Sequence, residues 1–373
     1  MNLSPKELPS MDVPARVERL RAGLADSGVD ALLVTHLVNV RYLTGFTGSA
    51  AIVLLTDDGM RFVTDGRYRD QAAEQLAAAG VDAHIHVGLT GGAQKEYLTG
   101  AAAGIPRLGL EADDVTWAQQ RRFAIEWFPD SELVATEGLV ENLRRTKDAG
   151  EVARMAEAAR IADDALAQVR PRLAEAPTER EIALDLDFEM RRLGAAGSSF
   201  ETIVASGPNG AKPHHRPSDR RIGPGELIVI DFGAIVDGYC SDMTRTLCVG
   251  EPATATAARM VEVVAESQRA GVQAVRAGVE AKAVDDACRA VIAEAGWADA
   301  FLHSTGHGVG LDIHEMPRVA STSTDTLGAG WVVTVEPGVY LPPHGGVRIE
   351  DTVVVTEEGC TVLTNAPKTL VVA

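Results

Sequence analysis

LIVIDFGAIVDGYCSDMTRT, residues 227–246, reads as two strands joined by a tight turn. Residues Leu227–Val236 and Tyr239–Val249 are both strand-like, and they flank Asp237-Gly238, a dipeptide suited to a two-residue hairpin turn. If that turn sets the register, Val236 faces Tyr239 and Asp231 faces Thr244. Asp242 then lies two residues from Thr244, on the same face as Asp231 and diagonal to it. Diagonal Cβ atoms sit roughly 7–8 Å apart or slightly less. Two carboxylates leaning inward from those positions can share a dinuclear site, whose ions stand about 3.5–4 Å apart.

Three further stretches carry the same kind of chemistry: HSTGHGVGLDIHE at 303–315, VTVEPGVY at 333–340 and GGVRIEDTVVV at 345–355. In Val347–Val353, a period of two puts Arg348 and Glu350 on one face and Ile349 on the other. Glu336 ends the apolar strand Trp331–Val335, where Pro337-Gly338 breaks regular pairing and can aim a side chain into a cavity. His307 sits among Gly306, Gly308 and Gly310, where backbone can approach a crowded site closely. Asp231, Asp242, His307, Glu336 and Glu350 thus form a set of four carboxylates and one histidine. Carboxylates without compensation do not collect inside a folded protein, because taking each from water costs several kcal/mol. Either the charges lie apart in solvent or something strongly cationic holds them together, and the sequence argues for the second, with two divalent metal ions as the cation. With oxygen ligands dominant and no thiolate, the set suits Mn²⁺ or a similar ion better than a structural zinc–cysteine site.

The order of these motifs, from about Asp148 to Val372, resembles the pita-bread metallopeptidases (M24), the group that holds methionine aminopeptidase, aminopeptidase P and prolidase. The first half is similar to the smaller N-terminal domain of the aminopeptidase P and prolidase branch, through NVRYLTGFTGSAAIVLL at Asn39–Leu55 and TDGRYRDQA at Thr64–Ala72. Methionine aminopeptidases generally lack that domain, and creatinase-like members do not keep the metal ligands. The resemblance implies an α+β chain: a C-terminal pita-bread fold over 148–373, a curved antiparallel sheet backed by helices, preceded by a smaller α/β creatinase-like domain over 1–147.

It also implies roles. Asp242 and Glu350 bridge two divalent ions, Asp231 chelates one, and His307 and Glu336 complete the other. Mn²⁺ is the expected metal, with Co²⁺ or Zn²⁺ as alternatives. Glu336 passes a proton from the nucleophile to the leaving nitrogen. His214 and His314 contact the scissile peptide and stabilise the oxyanion. His303 lines the proline pocket. Read without the family, His214 is a loop histidine after Asn209-Gly210 and Pro213, ordinarily just exposed, and His303 is a loop histidine with an ordinary hydrogen bond. Arg348 is either an ordinary strand arginine or a fork that pairs with a ligand carboxylate and orients it. His215 is a neighbour of unknown role. His36, His84, His86 and His344 read as structural or solvent-facing.

The expected activity is that of an Xaa-Pro aminopeptidase, releasing the first residue of peptides with proline second. Proline's nitrogen is a tertiary amide with no N–H for an ordinary peptidase to bind, so a pocket for the ring is expected. A dipeptide-only prolidase is the alternative, and TDGRYRDQA with FTGSA at 46–50 favours the aminopeptidase side. Hydrolysis of another small amide or ester, and a non-catalytic peptide-binding module, are more remote readings. The resemblance further implies a homodimer.

Composition agrees. A chain of 373 residues suggests two or three domains. A net charge of −18, from 35 basic and 53 acidic residues, repels nucleic acid. No apolar run approaches the ~18 residues of a membrane span, and MNLSPKELPSMD lacks the cationic start and apolar core of a signal peptide. Cys240, Cys248, Cys288 and Cys360 form no C-x-x-C pair and read as small apolar fillers in a reducing compartment, so the cytoplasm is the expected location. A boundary falls near residues 146–150. Before it, strands are expected at Asp30–Thr35, Ala50–Leu55 and Met60–Thr64, and helices at Ala15–Ser27, Arg69–Ala79 and Gln94–Ala103. Beyond it, helices are expected at 148–169 behind an Asp148 cap, from a Thr178/Glu181 capping box to Leu193, at Ala257–Arg276 and at Ala281–Ala295.

Overall fold

The computed structural model describes residues 8–372, which group into two compact units, Ser10–Arg144 and a second that takes in the described residues before Ser10 and those from Arg145 on. The first unit is built on a six-stranded sheet in the order His84–Val87, Gly59–Thr64, Ala51–Thr56, Ala31–Val34, Arg107–Glu111, Glu132–Thr136. Its middle strands pair antiparallel and its flanks parallel, with Ala31–Val34 buried along its whole length. The expected strands and helices of this half form with ends shifted by a few residues. Three strands of this sheet were not legible: His84–Val87 and Glu132–Thr136, at its edges, are short and half polar, and Arg107–Glu111 holds only two apolar side chains. His84 and His86 lie on one of them and stack on Tyr97, with ring centroids 5.8 and 4.0 Å away, a structural role as expected.

In the second unit, two helix pairs back antiparallel strands. Asp148 caps Ala149–Val169 and Thr178 caps Glu179–Arg192, each in a reciprocal capping box with the glutamate three residues on. This pair buries Ile161, Leu166, Ile182 and Leu186 against Ile228 and Ile230 of the hairpin. Ala255–Ala274 and Ala281–Glu294 bury Met260, Val264, Val284 and Ile292 against Val333, Val335, Val347 and Val353. Strand pairs in this unit are antiparallel among the described residues, apart from Val371–Val372 beside Met243–Val249. No helix of the described residues is long and apolar enough to cross a membrane.

The hairpin has the register its turn dictates, Val236 opposite Tyr239 and Asp231 opposite Thr244. Both turn residues have positive φ, 45° at Asp237 and 78° at Gly238, as a type I′ turn requires. Each long arm is nevertheless broken, which the sequence did not announce: Leu227–Phe232 then Ala234–Val236, and Tyr239–Cys240 then Met243–Val249. The arms touch at the break, where a Cβ on Gly233 would lie 1.9 Å from the Ser241 carbonyl oxygen. The tip therefore folds away and pairs with Gly197–Ser198 in a separate sheet, leaving Asp242 in the break. Gly233→Ala must push Ser241 aside, so we expect a loss of about 1–3 kcal/mol in denaturant unfolding. An unchanged midpoint would contradict this account of the break.

A second correction concerns Val347–Val353, which is not one strand. Gly345–Arg348 pairs with Gly338–Leu341, Asp351–Val355 pairs with Val332–Val335, and Ile349-Glu350 belongs to neither. The reason is competition from the hairpin. The Glu350 N–H donates to the Thr244 carbonyl at 3.1 Å, and the Arg245 guanidinium donates to the Glu350 carbonyl. The backbone at Glu350 is bound across to the hairpin rather than along a ladder.

Candidate metal centre and active site

Asp231 and Asp242 on the broken hairpin, and Glu350 in the gap between its two strands, bring one carboxylate oxygen each to within 4.8 Å of one another. His307 and Glu336 close the other side: His307 Nε2 lies 3.5 Å from Asp242 Oδ2 and 3.5 Å from Glu336 Oε1. All five residues converge. The glycines beside His307 are what let its strand in. A Cβ at Gly306 would sit 2.0 Å from the Thr334 carbonyl oxygen, and one at Gly308 would sit 2.4 Å from that of Met316. Thr334 ties this side together, accepting from the His307 N–H at 3.1 Å and facing Glu336 Oε1 at 3.4 Å. The Cys240 N–H donates to the Gly310 carbonyl at 2.8 Å, tethering the hairpin tip to the glycine-rich segment.

The electrostatics of this cluster are those of a site built around a cation. His307 Nδ1 faces the Gly308 carbonyl at 2.9 Å, and a carbonyl only accepts, so Nδ1 carries the proton. Burial pushes the His307 pKa down to about 4, which leaves the ring neutral with an Nε2 lone pair aimed at Asp242 and Glu336. Acceptors facing acceptors repel. Burial, then the charges of Glu350, Asp231 and Glu336, raise Asp242 well above the usual carboxylate range. Burial, then Glu336 and Asp231, does the same to Glu350, and burial lifts Glu336 to about 8. Asp231 Oδ1 and Glu350 Oε1 are buried with no hydrogen-bond partner, a costly state for any polar atom. Divalent cations would satisfy the orphaned oxygens, the lone pair and the accumulated charge at once, so the residues present fit the ions that the sequence implied.

Around the cluster, Arg348 holds Asp231: Nη2 donates to Asp231 Oδ2 at 2.6 Å, and Nε donates to Thr244 Oγ1 at 3.1 Å. Thr244 in turn donates to Glu350 Oε2 at 2.8 Å. Each of these two carboxylates is thus pinned by one oxygen and free at the other. Arg348 Nη1 also donates to Tyr340 Oη at 2.7 Å. Tyr340 donates its own O–H to His303 Nε2 at 2.8 Å, because His303 Nδ1 is committed to the Ser304 carbonyl at 2.8 Å. Burial, then the Arg348 charge, lowers His303 to about 4, so this ring stays neutral. His303 therefore lies on a directed chain from Arg348 rather than alone on a loop.

A cavity of about 720 Å³ opens over the cluster and is lined by His214, His303 and His314 besides Asp231, Asp242, His307 and Glu336. His314 stands edge-on to His307, with ring centroids 4.5 Å apart. His214 is exposed, whereas His215 turns its Nε2 to the Glu179 carboxylate at 3.0 Å. Tyr340, Thr334 and Glu179 are not evident from the sequence, and Thr244 is evident only as the residue opposite Asp231, not as a donor to Glu350. Of the first three, only Tyr340 left a signal, two residues beyond Gly338 in the quoted VTVEPGVY stretch, where alternation puts it on the same face as that glycine.

Comparison with known proteins gives the class. Residues 153–357 match Metallopeptidase family M24 and residues 16–146 match the Creatinase/Prolidase N-terminal domain. The chain belongs to the M24 metallopeptidases, in the branch of Xaa-Pro dipeptidases and aminopeptidases, and is a peptidase. It is 41% identical to the uncharacterized peptidase YqhT of Bacillus subtilis (strain 168), over 96% of this chain and 99% of that one. The Xaa-Pro dipeptidase from Bacillus anthracis superposes with a TM-score of 0.90 at 40% identity, covering 96% of this chain and 99% of its own. The X-Pro aminopeptidase from Thermotoga maritima MSB8 superposes at 0.87 with 35% identity, covering 96% and 100%. Family membership implies divalent metal ions.

Proposed function

We propose that this chain uses two divalent ions, Mn²⁺ foremost, to hydrolyse the bond before proline in peptides with proline second, releasing the first residue. The observation that carries this is the inward-facing set of acceptors: Asp231 Oδ1 and Glu350 Oε1, buried without a hydrogen-bond partner, and His307 Nε2, which faces Asp242 and Glu336 at 3.5 Å. Those five side chains would hold the ions. When bound, the ions supply Lewis acidity and lower the pKa of water. Arg348 keeps Asp231 aimed. Glu336 takes the proton of the attacking water and hands it to the proline nitrogen. His214 and His314 steady the carbonyl oxygen as charge develops there, and His303, held from behind by the Tyr340 hydroxyl, lines the cavity. By the same kinship we propose a homodimer, with domains of 1–147 and 148–373.

A cavity of about 720 Å³ supports action on peptides that continue beyond proline. One side chain favours a second reading, dipeptides only. Arg318 lines the cavity, is exposed, and makes no ion pair among the described residues, so its fork is available to a free carboxylate. Protein stripped of metal and reloaded with Mn²⁺, Co²⁺ or Zn²⁺ is to be assayed on Xaa-Pro beside Xaa-Pro-Yaa. Metal-dependent release of Xaa from the longer peptide is expected; no cleavage of either with any metal would end the proposal. Under the second reading only the dipeptide is cut, and Arg318→Ser raises its KM roughly 10–100-fold, the size of a lost charged hydrogen bond.

A further inference from the structure

The loop that carries His214 is tied at both ends by one side chain. Glu179 opens the helix Glu179–Arg192 and is 0% exposed. Its Oε1 accepts from the Ser206 N–H at 2.8 Å, the Ser206 hydroxyl at 2.8 Å and Asn209 Nδ2 at 3.1 Å. Its Oε2 accepts from the Ser218 N–H at 3.1 Å, the Ser218 hydroxyl at 2.6 Å and Asn209 Nδ2 at 3.2 Å, and stands 3.0 Å from His215 Nε2. A carboxylate offers about four lone-pair sites, so this one is saturated with donors. Burial alone would raise its pKa, but the hydrogen bonds from Ser218, Ser206 and Asn209 outweigh burial and lower it. The donors lie on both sides of His214 in the chain. Residues 27 to 39 positions away converge on a single buried charge.

We propose that Glu179 is the positioning residue for His214: by gathering Ser206, Asn209, His215 and Ser218 it fixes the span between them, so that His214 is presented to the cavity while His215 serves the anchor. This rests on His214 acting as the substrate contact named above. The arrangement needs an ionised carboxylate, not merely a polar group of that shape. Glutamine at 179 would set its NH₂ against the N–H of Ser206 or of Ser218, whichever way the amide turned.

The test is a double-mutant cycle on the metal-loaded full chain with a tripeptide Ala-Pro-Ala and the dipeptide Ala-Pro. Glu179→Gln should lower kcat roughly 10–100-fold with metal content unchanged, as loss of an orienting partner does. In a His214→Ala background the same change should cost less than about twofold, because the side chain it acts through is gone. Losses that multiply in the double variant, or a Glu179→Gln protein with wild-type turnover, would overturn the proposal. Wild-type protein inactive with every metal would instead sink the functional reading, and the anchor is then read by amide hydrogen exchange. Glu179→Gln should speed exchange across Ser206–Ser218 and leave Leu227–Val249 unchanged; unaltered loop exchange overturns the anchor whatever the activity. If Glu179→Gln does not fold, His215→Ala stands in, with faster loop exchange expected and unchanged exchange again fatal.

Discussion

Metal-loaded Asp242→Asn is expected to lose turnover on Xaa-Pro peptides by on the order of 10³-fold or more while the chain stays folded. Asp242 stands where the two sides of the centre meet. One of its oxygens is within 4.8 Å of those of Asp231 and Glu350, and its Oδ2 is 3.5 Å from His307 Nε2. No neighbour can take its place, since Asp231 is held by Arg348 and Glu350 by Thr244. The amide removes a charge and can turn an NH₂ toward the cations. Folding of the metal-free protein should respond in the opposite direction. Burial and three carboxylate neighbours make ionising Asp242 unfavourable, and asparagine has no charge to desolvate. The metal-free variant should therefore melt at or above the metal-free wild type at pH 8, yet gain less on addition of Mn²⁺. Opposite signs in the two readouts separate loss of the centre from misfolding. Turnover within about tenfold of wild type would remove Asp242 from the centre.

The parts of this site that were legible in the sequence are those set by local rules. Asp237-Gly238 demanded positive φ at two successive residues, and that requirement fixed which residue faces which for the length of the hairpin. Asp148 announced its helix as an N-cap and Thr178 as the first residue of a capping box with Glu181, signals complete within four residues. The convergence of the acidic residues followed from the cost of burying unpaired charge, and the roles assigned to each came from family resemblance. What escaped notice depends on partners distant in the chain. The break at Gly233 is caused by the Ser241 carbonyl across the ribbon. The break at Glu350 is caused by Thr244 and Arg245, more than a hundred positions earlier. Glu179 is the first residue of its helix, and nothing near it in the chain hints at Ser206, Asn209, His215 and Ser218. Period-two alternation describes a strand's faces; it does not say which strand leaves the ladder when a buried cluster competes for its backbone.

The same cluster makes the stability of the metal-free protein fall as pH rises, the reverse of the usual behaviour of paired carboxylates. Glu336 is lifted by burial to about 8, and Asp242 and Glu350 are raised by burial and by one another's neighbours. In the unfolded chain such groups ionise near 4. Between about 4 and 8, then, the folded state holds protons that the unfolded state has released, so unfolding is favoured by each step up in pH. For Glu336 the loss is complete once pH passes its folded value; below about 4 the penalty vanishes. The shift corresponds to several kcal/mol, which in a unit of this size is roughly 10 °C in Tm. Divalent ions replace those protons and bind the folded state alone, so they stabilise by mass action and do so more strongly at high pH. The gap in Tm between Mn²⁺-loaded and metal-free protein should widen from pH 5 to pH 8, with protons released on binding when calorimetry is repeated in buffers of different ionisation enthalpy. His307, neutral above about 4, takes no part in that release. A gap that stayed flat, or that widened toward acid, would mean the carboxylates are not gathered around the ions.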